Sequence, residues 1–116
     1  MLSRMNFRKL EVYQTAIRFL PAAAAMADRL PPRYAAMADQ LRRAALSIPL
    51  NIAEGSGKTT GPDQRRFYSM ARGSAMECAA IIDACSALAL IEQAEREEAD
   101  QLLLAAVRML SKMCRF

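Results

Sequence analysis

The sequence predicts an all-α protein, an antiparallel up-down four-helix bundle, and three observations carry that prediction. Only four Gly and five Pro occur in 116 residues, while Ala, Leu, Met, Arg and Glu, the strong helix formers, dominate. Apolar residues recur every three or four positions in four separate stretches, and no stretch alternates with the two-residue period of a strand. The links between those stretches are short, which makes consecutive helices antiparallel neighbours. A chain of this length is one domain, residues 1–116, with a core of ordinary size.

The first helix is expected from about Leu10 to Arg29, with Leu10, Tyr13, Ile17 and Leu20 on its apolar face and Pro21 distorting it. Pro31-Pro32 then breaks the chain. A second helix begins between Arg33 and Ala36 and continues through Leu41, Ala45, Ile48 and Ile52, bent at Pro49. Gly55 and Gly57 signal its end. Thr60, Pro62 and Asp63 read as a capped start for the third helix, which carries Phe67, Met70, Ser74, Cys78, Ile81, Cys85 and Leu88. A break around Leu90 to Gln93 leads to the fourth. That helix opens with Glu92, Glu95, Glu97 and Glu98 and closes with Arg108, Lys112 and Arg115, an order that suits the helix dipole. Its inward stripe is Leu102, Leu103, Ala106, Met109, Leu110 and Met113.

Composition narrows the function. There is no histidine, so the usual general base and the commonest metal ligand are both missing. The three cysteines form no Cys-x-x-Cys pair. They read as reduced, buried thiols of a cytoplasmic protein, with Cys78 and Cys85 on one helix face. No metal, no cofactor and no enzymatic activity are expected. Arg4, Arg8 and Lys9 ahead of an alanine-rich run mimic a signal peptide, but Glu11, Gln14 and Arg18 interrupt it. No run is long and apolar enough to span a membrane.

Gly57-Lys58-Thr59 carries the ending of a phosphate-binding loop. Such a loop needs a Gly five residues before Gly57, so that backbone N–H groups can surround the phosphates, and that position holds Ile52. The loop must also follow a strand. This one follows a predicted helix, so it reads as a helix–helix connection that binds no nucleotide.

Helix two carries a polar stripe, Gln40, Arg43, Ser47, Asn51 and Glu54, at spacings of three and four. Helix three carries another, Arg66, Ser69, Gly73 and Glu77. In a hairpin, facing residues have position numbers of constant sum. A sum of about 120 pairs Arg43 with Glu77, Ser47 with Gly73, Asn51 with Ser69 and Glu54 with Arg66, bringing opposite charges together. The stripes fit solvated faces, a network that fixes helix register, or a face turned to a neighbouring subunit.

These same residues carry a family resemblance. The segments "DQLRRAALSIPLNIAEGSGKTT" and "RRFYSMARGSAMEC" resemble the four-helix-bundle proteins encoded in intervening sequences of bacterial large-subunit ribosomal RNA genes. The shared pattern falls on Gln40, Arg43, Ala44, Ser47 to Pro49, Asn51 to Gly55, Arg66, Phe67, Ala71, Gly73, Ser74 and Glu77. "FRKLEVY" resembles the family's opening, with Tyr13 where Trp is common. Between Pro32 and Gln40 the chain departs from the usual Glu and Gly-Leu. The resemblance implies a non-enzymatic bundle that assembles as a homopentamer. It also implies kinship with accessory proteins of diversity-generating retroelements, which bind nucleic acid and a reverse transcriptase.

Charge supports a nucleic-acid partner independently. The net charge of +4 divides into +6 over residues 1–82 and −2 over 83–116. Arg42, Lys58, Arg65 and Arg72 are the candidate phosphate contacts around helices two and three. The rival expectation is a protein–protein interaction scaffold that binds no RNA or DNA.

Overall fold

The computed structural model describes residues 2–115. A 3-10 helix over Leu2–Lys9 leads into four α-helices: α1 Glu11–Arg29, α2 Ala35–Ser56, α3 Gly61–Ala87 and α4 Gln93–Met113. No strand occurs among the described residues. The helices contact one another in the cyclic order α1, α2, α3, α4 and back to α1, with no diagonal contact, as an up-down bundle requires. The bundle is 45 Å long. One of its ends gathers the start of α2 and of α4, the other the start of α1 and of α3.

Local chemistry sets the boundaries. Thr60 caps α3, its Oγ1 accepting from the Asp63 N–H at 3.3 Å, with Pro62 in the first turn. Glu92 and Glu95 form a reciprocal capping box at the start of α4, although glutamate is not among the favoured cap residues. Helix α3 closes on Ala89, which takes a left-handed φ of 57° where glycine is usual. The Leu90 N–H then reaches back to the Cys85 carbonyl at 2.8 Å. Both α1 and α2 run through their internal prolines. Each ring removes one donor from the ladder, opposite the carbonyls of Ile17 and Ala45.

The core corrects two sequence assignments. On α1 the buried face is Val12, Thr15, Ala16, Phe19, Ala23, Met26 and Ala27, whereas Ile17 is exposed. On α3 it is Tyr68, Ala71, Ala75, Cys78, Ile82 and Cys85, whereas Met70 and Leu88 are exposed. In both helices alanines share the buried face with large side chains such as Phe19, Met26 and Ile82, and the alanines give the sequence little signal of where that face is centred. Helix α4 buries Ala99, Leu103, Ala106 and Leu110, with Leu102, Met109 and Met113 partly covered at the edges. All three cysteines are free and buried.

Small residues let α2 and α3 approach closely. A Cβ on Gly55 would lie 2.7 Å from Tyr68 Cε1 and 3.1 Å from Phe67 Cβ. Glycine is therefore favoured there by the facing Tyr68 ring and Phe67 side chain. Tyr68 keeps its hydroxyl satisfied by Ser56 at 3.1 Å. The adjoining segment from Gly57 to Thr60 is the turn between α2 and α3. Ile52, where a phosphate loop needs its first glycine, is fully buried in the core.

Candidate nucleic-acid interface

The polar stripes do meet between α2 and α3, but in a different pairing from the one the position sums suggest. Glu77 accepts from Gln40 Nε2 at 2.5 Å, in place of an ion pair with Arg43. Ser47 shares a hydrogen bond with Ser74 at 2.5 Å, not with Gly73. Asn51 turns to its own helix, donating to the Ser47 carbonyl at 2.9 Å and to Ser47 Oγ at 3.1 Å, not to Ser69. Glu54 pairs with Lys58 at 3.3 Å, and Arg66 with Asp63 at 3.9 Å. Arg43 is exposed and makes no ion pair among the described residues.

Depth and reach account for part of the difference. The half-buried hydroxyls of Ser47 and Ser74 bond across the helices, because polar groups there lose water. At the rim Glu54 and Arg66 take charged partners three or four residues away, where holding the geometry costs less side-chain entropy, whereas Glu77 reaches across to Gln40. Ser69 and Gly73 leave the seam altogether. Ser69 lines a shallow pocket with Arg72, Ser111 and Cys114, and Gly73 has nothing within 4 Å of where its Cβ would be.

The four candidate phosphate contacts do not form one patch. Arg42 lies against α1, bonded to Asp28 at 2.9 Å and to Asp39 at 3.1 Å. The Asp28 hydrogen bond raises its pKa further, fixing a charge that is already neutralised by two carboxylates. Lys58 is held by Glu54 and sits over the Phe67 ring, 4.9 Å from its centroid. Those two belong to local ion pairs.

Arg65 and Arg72 are different. Both lie on the edge of α3 that faces α4. Arg72 donates from Nε to Ser111 Oγ at 2.8 Å, and the Cys114 thiol points to the Arg65 carbonyl at 3.9 Å. Arg108 lies three residues before Ser111 on α4, and Arg115 follows four residues after it, just past the end of the helix. None of the four arginines meets a side-chain carboxylate within 4 Å among the described residues. Sequence reading found Arg65 and Arg72 but left Arg108 and Arg115 as dipole-complementing charges. The signal for them was their three- and four-residue spacing around Ser111, which gains meaning only once α3 is known to lie alongside.

The opposite end of the same α3/α4 face is acidic. Asp83 and Asp100 hold Arg96 between them, at 2.7 Å and 3.5 Å, and Ser86 completes its contacts at 2.9 Å. Between the two ends lies an apolar groove of about 310 Å³, lined by Met76, Ala79, Asp100, Leu103, Leu104 and Val107. No cluster of metal-ligating side chains occurs among the described residues. No described helix is long and apolar enough to cross a membrane.

The helix order and contacts define the class as an all-α, up-down four-helix bundle. The particular family follows from sequence: residues 8–112 match the model of the 23S rRNA-intervening sequence protein, and the chain belongs to that family. No curated protein matches the chain.

Proposed function

We propose that this protein is a non-enzymatic, oligomeric accessory factor that binds structured RNA or DNA through the basic end of its α3/α4 face. The observation that carries this is the cluster of Arg65, Arg72, Arg108 and Arg115 with no side-chain carboxylate beside it. Arginine offers forked donors that suit phosphate oxygens. Few aromatic rings are free to help. Phe7 packs edge-on against Tyr13 at 4.9 Å, and Phe67 lies under Lys58 and Arg66. Binding therefore rests on phosphate neutralisation and tolerates sequence, with little base stacking.

A homo-oligomer, a pentamer by family likeness, multiplies a weak patch into useful avidity without new contacts. Family membership also makes a reverse transcriptase a candidate partner, on likeness alone. A protein–protein scaffold is the second reading, and it is favoured by the apolar groove and by Leu46 and Leu50, which are half exposed on α2.

The test is affinity for a structured RNA at several salt concentrations. Each phosphate contact contributes about 0.7–0.9 to the slope of log affinity against log salt. The double variant Arg65→Ala/Arg72→Ala is expected to lower that slope by about 1.4–1.8, whereas Arg42→Ala leaves it unchanged. Absence of binding at low salt, or equal losses from both variants, puts the scaffold reading in front.

A further inference from the structure

We infer that the cleft between α3 and α4 at Arg72 is a terminal-phosphate pocket, which takes the phosphate monoester at the end of an RNA or DNA strand. The inference rests on the nucleic-acid reading above and deepens it, from general attraction to phosphates to recognition of a strand end. The cleft has a volume of about 360 Å³ and is lined by Ser69, Arg72, Ser111 and Cys114. Small-ligand sites occupy about 300–1,000 Å³, so there is room for a phosphate and its first sugar.

The lining is a set of donors. Arg72 uses one N–H, that of Nε, on Ser111 Oγ at 2.8 Å, and the bond steadies the guanidinium in the cleft. The N–H groups of its two terminal nitrogens make no hydrogen bond among the described residues. Because Ser111 accepts from Arg72, its own O–H is free to donate outward. The half-buried Ser69 hydroxyl has no hydrogen-bond partner among the described residues either. Cys114 closes the floor, its buried thiol engaged with the Arg65 carbonyl. No carboxylate lines the cleft. The last turn of α4 brings carbonyl ends worth about half a negative charge, which Arg72 outweighs.

A second arginine on the same face shows what is missing. Arg96 bonds a serine too, Ser86 at 2.9 Å, but Asp83 and Asp100 supply its counter-charge. Arg72 has the serine and no counter-charge, so the partner it lacks is an anion. The donors choose among anions. A carboxylate has two oxygens, and so does a phosphodiester inside a strand, whose two sugars must also lie across the helices. A phosphate monoester has three free oxygens and a charge of about −1.5 to −2 at neutral pH. The fork of Arg72 suits two of those oxygens, which leaves the third to the hydroxyls of Ser69 and Ser111. One sugar alone is attached, and it points out of the cleft. Arg65 lies one turn before Ser69 and Arg108 one turn before Ser111. Both are exposed, at opposite ends of the opening because α3 and α4 are antiparallel, so the departing strand meets an arginine either way.

The experiment compares hairpin RNAs phosphorylated at the 5′ end, at the 3′ end or at neither, by fluorescence anisotropy at one salt concentration. Inorganic phosphate is a separate probe, followed through the amide NMR signals of Ser69 and Ser111. At least one phosphorylated hairpin is expected to bind about tenfold or more tightly than the hydroxyl-ended one. Ser69→Ala/Ser111→Ala keeps every arginine, and with it the general pull of an extra charge, so the preference is expected to fall to about twofold. Arg72→Lys keeps the charge but loses the fork, and is expected to lower the preference likewise. Circular dichroism checks that both variants fold. Equal affinity for all three hairpins overturns the pocket, while binding that still weakens with salt leaves the nucleic-acid reading standing. A full preference surviving in both variants overturns the assignment to these residues. If no hairpin binds, the nucleic-acid reading falls and the strand end with it. Shifts of the two serines with inorganic phosphate then make the cleft a site for small phosphate compounds, and their absence overturns the pocket as well.

Discussion

Helix α3 has two edges, and they differ in how much of their chemistry one chain completes. Toward α2 the contact is closed. Gly55 brings Tyr68 against the α2 backbone, Ser47 meets Ser74, and Gln40 meets Glu77. No buried side-chain nitrogen or oxygen there or elsewhere in the described residues lacks a partner. Toward α4 the core is equally well buried, but the outer rim is open. Met76 and Leu104 stand half exposed over a groove, and arginines without carboxylates crowd one end. The seam on the α2 edge is thus satisfied within one chain, and the α4 edge is the surface on which the proposed function rests. Polar residues at helical spacing do not announce which of these roles they have.

The largest expected effect lies on the closed side and depends on pH. Burial, with the Glu77 charge beside it, pushes the Cys78 thiol up to about 12 from an ordinary value of 9.0. Burial also raises that of Cys85. The unfolded chain releases these protons first, so stability is intact below pH 9 and falls as pH rises from there toward 12. Each unit costs up to about 1.4 kcal/mol per thiol. Urea titrations at pH 7, 9 and 10.5 check this, and equal stability at all three would show that the thiols are not sequestered.

Next comes Gly55→Ala, expected to cost about 1–3 kcal/mol by forcing α2 and α3 apart. Chemical denaturation measures it, and a neutral result would mean the close contact is soft. Ser74→Ala removes the partner of half-buried Ser47 and is expected to cost about 0.5–1.5 kcal/mol. Gly73→Ala, on the same helix but facing open space, is expected to stabilise the single chain by about 0.5–1 kcal/mol. Two glycines eighteen positions apart thus respond with opposite signs. The smallest effect is that of Arg43→Ala. The sequence register paired Arg43 with Glu77, but Arg43 is exposed and makes no ion pair among the described residues, so less than about 0.5 kcal/mol is expected.

Much of this fold is legible in the sequence because its signals are local. Thr60 with Asp63, Pro31-Pro32, and Gly57 all mark helix ends by chemistry within four residues, whereas Gly55 lies inside α2 and serves the contact with Tyr68. Packing faces are less legible. Ala16, Ala23, Ala71 and Ala75 lie at the centres of their contacts, and alanine says little about direction. The seam was found on the right helices, but its partners depend on depth, which position numbers do not contain. For the basic patch, sequence supplies the arginines and the structure supplies their competitors: Asp28 and Asp39 for Arg42, Glu54 for Lys58, none for Arg65 and Arg72.

The claim that the α4 edge of α3 is the working surface can be tested within one helix. Met70 and Met76 are 47% and 49% exposed in the single chain, the first on the α2 edge and the second on the α4 edge. Mild peroxide converts exposed methionine to its sulfoxide, and mass spectrometry reads each site. In wild-type protein mixed with structured RNA, Met76 is expected to oxidise several-fold more slowly than Met70, covered by a neighbouring copy or by the nucleic acid. Equal rates, or slower oxidation of Met70, would contradict the account.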